Sequence, residues 1–186
     1  MRTRSVLGWT ALGVAYALML GVSVHGLYGL RAKEIRRDGY TVTSPKGWSD
    51  ISEEARDGTV DGTPDLVLEG PDFDDGLPRT RIVIARDPVY AQPSVERMAL
   101  SLVDLASTEP AEATAPRYLT IDGERAAVVD FHGDFPDERD GRFIKRRVVT
   151  RHGDRTYTVS LIATKGRFTE HARELDRLLR GWAWTP

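Results

Sequence analysis

Cysteine is absent from the 186-residue chain. That excludes disulfides, thiolate metal sites, a cysteine nucleophile and a lipid-modified cysteine behind a leader. Reactive signatures built on other residues are missing too. There is no G-x-S-x-G nucleophile elbow, no G-x-x-x-x-G-K-[ST] phosphate loop, and no G-x-G-x-x-G opening a helix after a strand. The three histidines of residues 38–186, His132, His152 and His171, show no H-x-x-x-H or H-E-x-x-H spacing, so zinc-ligand spacing is lacking. Positive charge is outnumbered over most of the chain. Six of the 26 Lys+Arg and one of the 28 Asp+Glu fall in residues 1–37, leaving 20 basic and 27 acidic residues in 38–186, a formal net of −7. A body so acidic is a poor match to nucleic acid, whose binding depends on neutralising phosphates.

What is present begins with an apolar leader. Ser5–Leu30 contains no Asp, Glu, Lys or Arg. A helix of about 20 apolar residues spans the hydrocarbon core of a bilayer. A cleaved signal peptide has a shorter apolar region and an A-x-A-like site. The run here is longer and VHGLYGLRAK offers no such site, so residues 1–37 read as an uncleaved transmembrane anchor with a basic juxtamembrane spacer. Gly13, Ala17 and Gly21 recur every fourth residue, the small-residue spacing that lets membrane helices approach closely. The same pattern arises because glycine is common in membrane helices. Arg2, Arg4 and the amino terminus on one side face Arg31, Lys33, Arg36 and Arg37 on the other, a count that slightly favours a cytoplasmic carboxyl side and does not decide the orientation.

Residues 38–186 read as one domain with the order strands, helix, hairpins, helix. Tyr40–Ser44 alternates like a strand and is closed by the turn signal Pro45-Lys46-Gly47, with Tyr40 and Trp48 as core anchors. Asp65–Glu69 and Thr80–Arg86 are further strand candidates. Ser94 is a suitable N-cap for a helix whose apolar positions are Val95, Met98, Ala99, Leu102, Val103 and Ala106. Glu109–Pro116 reads as a loop. Arg117–Ile121 and Glu124–Phe131 flank Asp122-Gly123, a strong hairpin signal. Arg142–Arg151 and Arg155–Ala163 flank His152-Gly153-Asp154 as a second hairpin. Phe168, Ala172, Leu175, Leu178, Leu179 and Trp182 form one face of a closing helix. Strands joined by hairpins imply an antiparallel sheet, and two amphipathic helices must bury their stripes on it, which makes the fold class α+β.

Two features invite a functional reading. Acidic loops at Asp72–Gly76 and Asp134–Gly141 suggest calcium, but setting either glycine at position 6 of an EF-hand loop puts proline at position 1 and no glutamate at 12. Solvated loop carboxylates are the better reading, and no metal or cofactor is expected. The basic residues Arg142, Lys145, Arg146, Arg147, Arg151 and Arg155 cluster on the second hairpin. A domain tethered at a bilayer could set such residues against anionic head groups. Alternatively they cover a sheet face and pair with the acidic loop beside them. His152 reads as solvent-facing in its turn, His171 as a core-edge imidazole, and His132 as the one histidine near a carboxylate-rich loop.

The stretch GYTVTSPKGW resembles the opening of PsbP-like domains, an aromatic strand followed by P-x-G-W. RHGDRTYTVSLIATKGRFTEHARELDRLLRGWAW resembles their closing unit, with Tyr157 centring a strand and Trp182 and Trp184 ending the last helix. The resemblance implies an antiparallel sheet in an α/β/α sandwich. It also implies a mostly non-enzymatic role, since the family includes photosystem extrinsic subunits, a nuclear import factor and actinobacterial LpqN-type envelope lipoproteins. This chain departs from those lipoproteins in lacking the lipidated cysteine, and a membrane helix would replace that anchor. The expected function is a membrane-anchored, extracytoplasmic accessory or binding module. Its partners would be the lipid bilayer and another envelope protein or small ligand, and not nucleic acid. Two alternatives stay open: an enzyme with a site at His132 and Asp134–Asp140, and a cytoplasmic-facing regulator.

Overall fold

The computed structural model describes residues 32–56, 64–74, 77–78, 80–88, 94–106, 111–133 and 143–186. The leader, with Gly13, Ala17 and Gly21, lies outside the described residues, as do Arg142 and the acidic run 134–141. Among the described residues no helix is long and apolar enough to cross a membrane.

The main sheet is built from β3 (Ser49–Asp50), β4 (Leu66–Glu69), β7 (Arg81–Pro88), β12 (Arg155–Thr164), β11 (Phe143–His152), β10 (Glu124–Gly133) and β8 (Ala111–Ala113), in that spatial order. β9 (Arg117–Ile121) pairs with β10 as well. A second sheet joins the two ends of the domain: β1 (Glu34–Arg37), β2 (Tyr40–Thr43) and β13 (Ala183–Trp184). β5 (Phe73–Asp74) and β6 (Leu77–Pro78) form a small ribbon. Every strand pair among the described residues is antiparallel. Three helices are described: α1 (Ser52–Arg56), α2 (Val95–Ala106) and α3 (Phe168–Arg180).

Strand alternation divides the main sheet into two faces. Ile82 and Ile84 of β7, Tyr157, Val159, Leu161 and Ala163 of β12, and Ile144 and Val148 of β11 are buried on one face. They pack against Leu175, Leu178 and Leu179 of α3 and against Ile35, Tyr40 and Val42 of the second sheet. Burying each such side chain stabilises by about 1.5–3 kcal/mol. On the other face Ala127, Val129, Phe131, Phe143 and Val149 meet Ala99, Leu102 and Val103 of α2. The domain is therefore a three-layer α+β sandwich, as the resemblance implies.

Local chemistry fixes the register. Asp122 (φ 43°) and Gly123 (φ 86°) both take the left-handed conformation, the backbone of a type I′ hairpin turn. At the second hairpin His152 pairs with Arg155, so His152 belongs to β11 and the two-residue turn is Gly153-Asp154. Phe73–Asp74, within a loop in the sequence reading, pairs with Leu77–Pro78 as a short ribbon, and two further segments differ from expectation. Glu34–Arg37, read from sequence as part of a spacer, is a strand aligned with Tyr40–Thr43. Ala111–Ala113, read within a loop, is an edge strand on Phe131–Gly133. Neither has the β-branched, alternating composition that marks strands, and tertiary pairing overrides their propensity.

Candidate functional site

Period-two geometry splits the basic hairpin. Even-numbered residues of β11 face α3 and odd-numbered ones face the α2 side. Arg146 therefore points inward. Its Nε and Nη2 donate to the two carboxylate oxygens of Asp130 at 2.7 and 2.9 Å, and its guanidinium lies 5.2 Å from the Phe168 ring centre. Burial alone would lower the Arg146 pKa, but the hydrogen bonds and charge of Asp130 and the charge of Asp176 outweigh it and raise it. Arg155 reaches Asp38 at 3.8 Å and Asp154 at 3.9 Å, and Arg151 Nε donates to the Gly153 carbonyl at 3.3 Å. Lys145, Arg147 and Arg151 remain together on the α2 side. The five described members of the run do not form one patch.

The α2 side of the sheet is the more open of the two. α2 sits over β8, β10 and β11, and β7 and β12 run beside it. There Val83 and Ala85 of β7 and Thr156, Thr158, Ser160 and Ile162 of β12 are only half-buried, while their neighbours on the α3 side are closed off. Pairing sets these residues in rows across the strands. Val83, Ser160 and Arg147 make one row, Ala85, Thr158 and Val149 the next, and Asp87, Thr156 and Arg151 a third. From β7 to β11 is two strand spacings, about 10 Å. The result is a strip of hydroxyls and small side chains with basic residues along its β11 margin. Sequence reading passed over Ser160 and Thr158. Their signal was the polar half of the alternation in RTYTVSLIAT, which marks the solvent face of a central strand.

At the foot of α2, Arg147 is half-buried, and its guanidinium lies 5.6 Å from the centre of the Phe131 ring. Among the described residues it has no carboxylate partner, in contrast to Arg146 beside it. Arg81 on the β7 side is paired with Glu69 at 3.5 Å.

The histidines occupy three different settings. His171, on α3, is 1% exposed. Its Nδ1 faces Glu174 Oε2 at 2.8 Å and its Nε2 forms a short contact with Asp72. Trp48 Nε1 donates to the same Glu174 oxygen at 3.0 Å, and Arg167 reaches the other Asp72 oxygen at 3.1 Å. Asp72 is thus not the solvated loop carboxylate that the sequence suggests; it closes a network joining three segments. The imidazole uses both nitrogens on carboxylates and is sealed from solvent, which suits a structural tie. His152 stacks on Trp184 at 4.5 Å and contacts Glu124 at 3.1 Å, so its turn is only partly open to solvent. His132 is exposed at the end of β10, opposite Ile144 and Glu112. Its acidic neighbours at 134–140 lie outside the described residues. Among the described residues no group of three or more His, Asp or Glu is arranged to hold a metal.

An aromatic cluster lies between the two sheets. Tyr40 stacks on Trp182 at 4.5 Å and meets Tyr157 edge-on at 5.9 Å, and Trp184 packs on both Tyr157 and Trp182. Burial drives the Tyr40 phenol well above the ordinary tyrosine range, and the nearby Asp65 carboxylate adds to it. Among the described residues, the buried Tyr40 Oη, Asp65 Oδ2 and Trp182 Nε1 find no hydrogen-bond partner. Tyr40 is thus the core anchor that the sequence suggests, whereas Trp182 and Trp184 lie beyond the end of the last helix, Trp184 in a strand paired with Tyr40.

No family model matches the sequence, and no curated protein matches it either. Solved structures do resemble the chain. Cyanobacterial PsbP (CyanoP) from Synechocystis sp. PCC 6803 superposes with a TM-score of 0.57 at 14% identity, covering 83% of this chain and 92% of its own. LpqN of Mycobacterium tuberculosis, described as involved in cell envelope biogenesis, gives 0.57 at 9% identity over 84% of this chain and 91% of its own. A Pseudomonas aeruginosa protein of unknown function, a putative regulator, gives 0.54 at 16% identity over 84% and 99%. At these identities the likeness is one of fold. The chain has a PsbP-like fold.

Proposed function

We propose that this chain is a non-catalytic binding module of the PsbP-like fold, and that it meets its partner along the β7–β12 strip. One observation carries the reading. The charged side chains elsewhere in the described core close on one another: Arg146 on Asp130, Arg37 on Asp50, and His171 on Asp72 and Glu174. The strip sets half-buried hydroxyls beside the strand that carries Arg147, whose guanidinium lies against the Phe131 ring and has no carboxylate partner among the described residues. Such a surface positions groups for recognition rather than for proton or acyl transfer. The fold shared with LpqN and CyanoP supports an accessory role.

We further propose that Ser5–Leu30 anchors the module in a membrane, with the folded body outside the cell. The body would be held close to the bilayer. Lys33 N donates to Ser44 Oγ at 3.0 Å and Ser44 N to the Lys33 carbonyl at 2.8 Å, so the fold already engages the chain at residue 33. Only residues 31 and 32 separate it from the apolar run, a reach of about 10 Å at full extension.

Site-specific photocross-linking in intact membranes tests the binding reading. A cross-linking residue at Thr158 is expected to give a defined adduct, and one at Glu170 on the opposite layer is not. Equal labelling at both positions overturns the strip as the binding surface. Protease added to intact cells tests location: digestion of residues 38–186 before lysis is expected, and complete protection supports the cytoplasmic-facing alternative instead.

A further inference from the structure

We infer that the occupant of the β7–β12 strip is an acidic, extended peptide segment of a partner protein, with Arg147 receiving one of its carboxylates. The inference rests on the binding reading above and adds the chemistry of the partner. Three observations carry it.

The first is charge. The body carries a net −7, yet the β11 margin of the strip is basic, with Arg147 and Arg151 on one face. Against these the described strip places Asp87 at one end and Glu69, which is engaged with Arg81. The second is the state of Arg147. Its guanidinium is supported by the Phe131 ring and has no carboxylate among the described residues. A guanidinium offers five N–H donors in a planar fork that matches a carboxylate. Ser160, directly across the β11–β12 pair, and Thr158, one diagonal step away, stand within about 8 Å at the Cβ atoms and can take the peptide's other polar groups.

The third is relief. A helix has a diameter of about 10–12 Å, so α2 stands well above the sheet on which it lies. Arg147 is at the foot of that step. A flat bilayer would meet α2 first, whereas an extended chain fits along the roughly 10 Å between β7 and β11. This favours a peptide over the anionic lipid surface that the basic run suggests in sequence.

The test uses the full chain in nanodiscs of zwitterionic lipid. The probe is a labelled ten-residue peptide of alternating Thr and Glu, with the Thr/Gln version as control. Binding is read by fluorescence anisotropy and mapped by amide chemical shifts. The Glu peptide is expected to bind at least tenfold tighter than the Gln peptide and to move the amides of Val83 and Ser160. Arg147→Gln is expected to weaken it fivefold or more, Arg147→Lys to lose less, and Arg36→Gln to change nothing. Amide mapping on the unsubstituted chain keeps the test decisive if Arg147→Gln folds poorly. Equal binding of both peptides, with the same amides moving, overturns the acidic partner and leaves the strip as a binding surface. No movement with either peptide overturns both readings. Binding to phosphatidylglycerol vesicles that is lost in Arg147→Gln, with no binding of the peptide, overturns the peptide in favour of the membrane.

Discussion

Removing the carboxylate from Asp130 should be among the most costly single changes in the domain. The Asp130 and Arg146 side chains are each 12% exposed and joined by two hydrogen bonds. In Asp130→Leu the guanidinium keeps only Asp176, 3.7 Å away and 44% exposed. Breaking a fully buried pair costs about 3–5 kcal/mol, and the residual exposure and Asp176 put this site near the lower end, about 3 kcal/mol. Arg146→Met leaves Asp130 with Arg117 at 3.4 Å and should cost about 2 kcal/mol. The double variant removes both charges from a site already lined by Phe168, so it should cost far less than the two single changes together, with a coupling of about 3 kcal/mol. Urea unfolding of the full chain in mild detergent, followed by tryptophan fluorescence, measures all three. With an m-value of about 2 kcal/mol/M, Asp130→Leu should lower the midpoint by about 1.5 M. A coupling under about 1 kcal/mol is what an exposed pair gives, and it would refute the internal role of Arg146. The same reasoning expects Arg146→Met to leave any binding to anionic vesicles unchanged.

Gly39→Ala should destabilise by about 2 kcal/mol or more, because φ is +93° there and an added Cβ would sit 2.5 Å from Tyr157 Oη; a midpoint equal to wild type in the same urea assay counts against that packing. His171→Ala should cost about 3 kcal/mol, since it leaves the Asp72 and Glu174 carboxylates without the imidazole between them; a loss under about 1 kcal/mol would mean the network is not a structural tie. Asp50→Asn tests acid sensitivity. Burial would raise the Asp50 pKa, but the Ser52 hydroxyl and backbone N–H and the Arg37 guanidinium outweigh it and lower it. A depressed folded pKa contributes stability that is present above the ordinary carboxylate pKa of about 4 and is lost as pH falls through the folded value. The wild-type advantage over Asp50→Asn should therefore hold at pH 7 and shrink progressively below about pH 4; a pH-independent difference refutes the assignment.

Much of the fold was legible because its strongest signals are local. Asp122-Gly123 demands a left-handed turn, and the stripe Phe168, Ala172, Leu175, Leu178 and Leu179 demands one buried helix face; both depend only on residues a few positions apart. The failures share the opposite property. Glu34–Arg37 reads as a basic spacer because its partner Tyr40–Thr43 and the closing strand Ala183–Trp184 supply the pairing, the latter from the far end of the chain. Ala111–Ala113 is a strand only because Phe131–Gly133 presents an open edge to it. The histidine network was divided in the same way. The helical stripe marks His171 at the core edge, but nothing marks Asp72 as its partner, since 99 residues separate them and no periodicity connects two elements. Trp48 and Glu174, 126 residues apart, present the same difficulty.

The contrast between Arg146 and Arg147 shows how a charge run becomes a site. In sequence the two are equivalent members of one basic cluster. In a strand they point to opposite faces, and the identity of each face is decided by register alone. With Arg146 opposite Asp130 and Leu161, one guanidinium is neutralised in the core. With Arg147 opposite Val129 and Ser160, the other lies on the α2 side, against the Phe131 ring. A one-residue slip of β11 would put Arg147 against α3 and lift Arg146 away from Asp130, exchanging the two roles and leaving a buried carboxylate without its fork. The Gly153-Asp154 turn sets that register on the β12 side, with Gly153 at φ 58° supplying the left-handed residue. Pairing with β10 sets it on the other side, and the bidentate contact of Arg146 with Asp130 rewards only the observed alignment. The internal ion pair and the open strip are thus two outcomes of one constraint: the pair that holds β11 in register also places Arg147 where a partner can reach it.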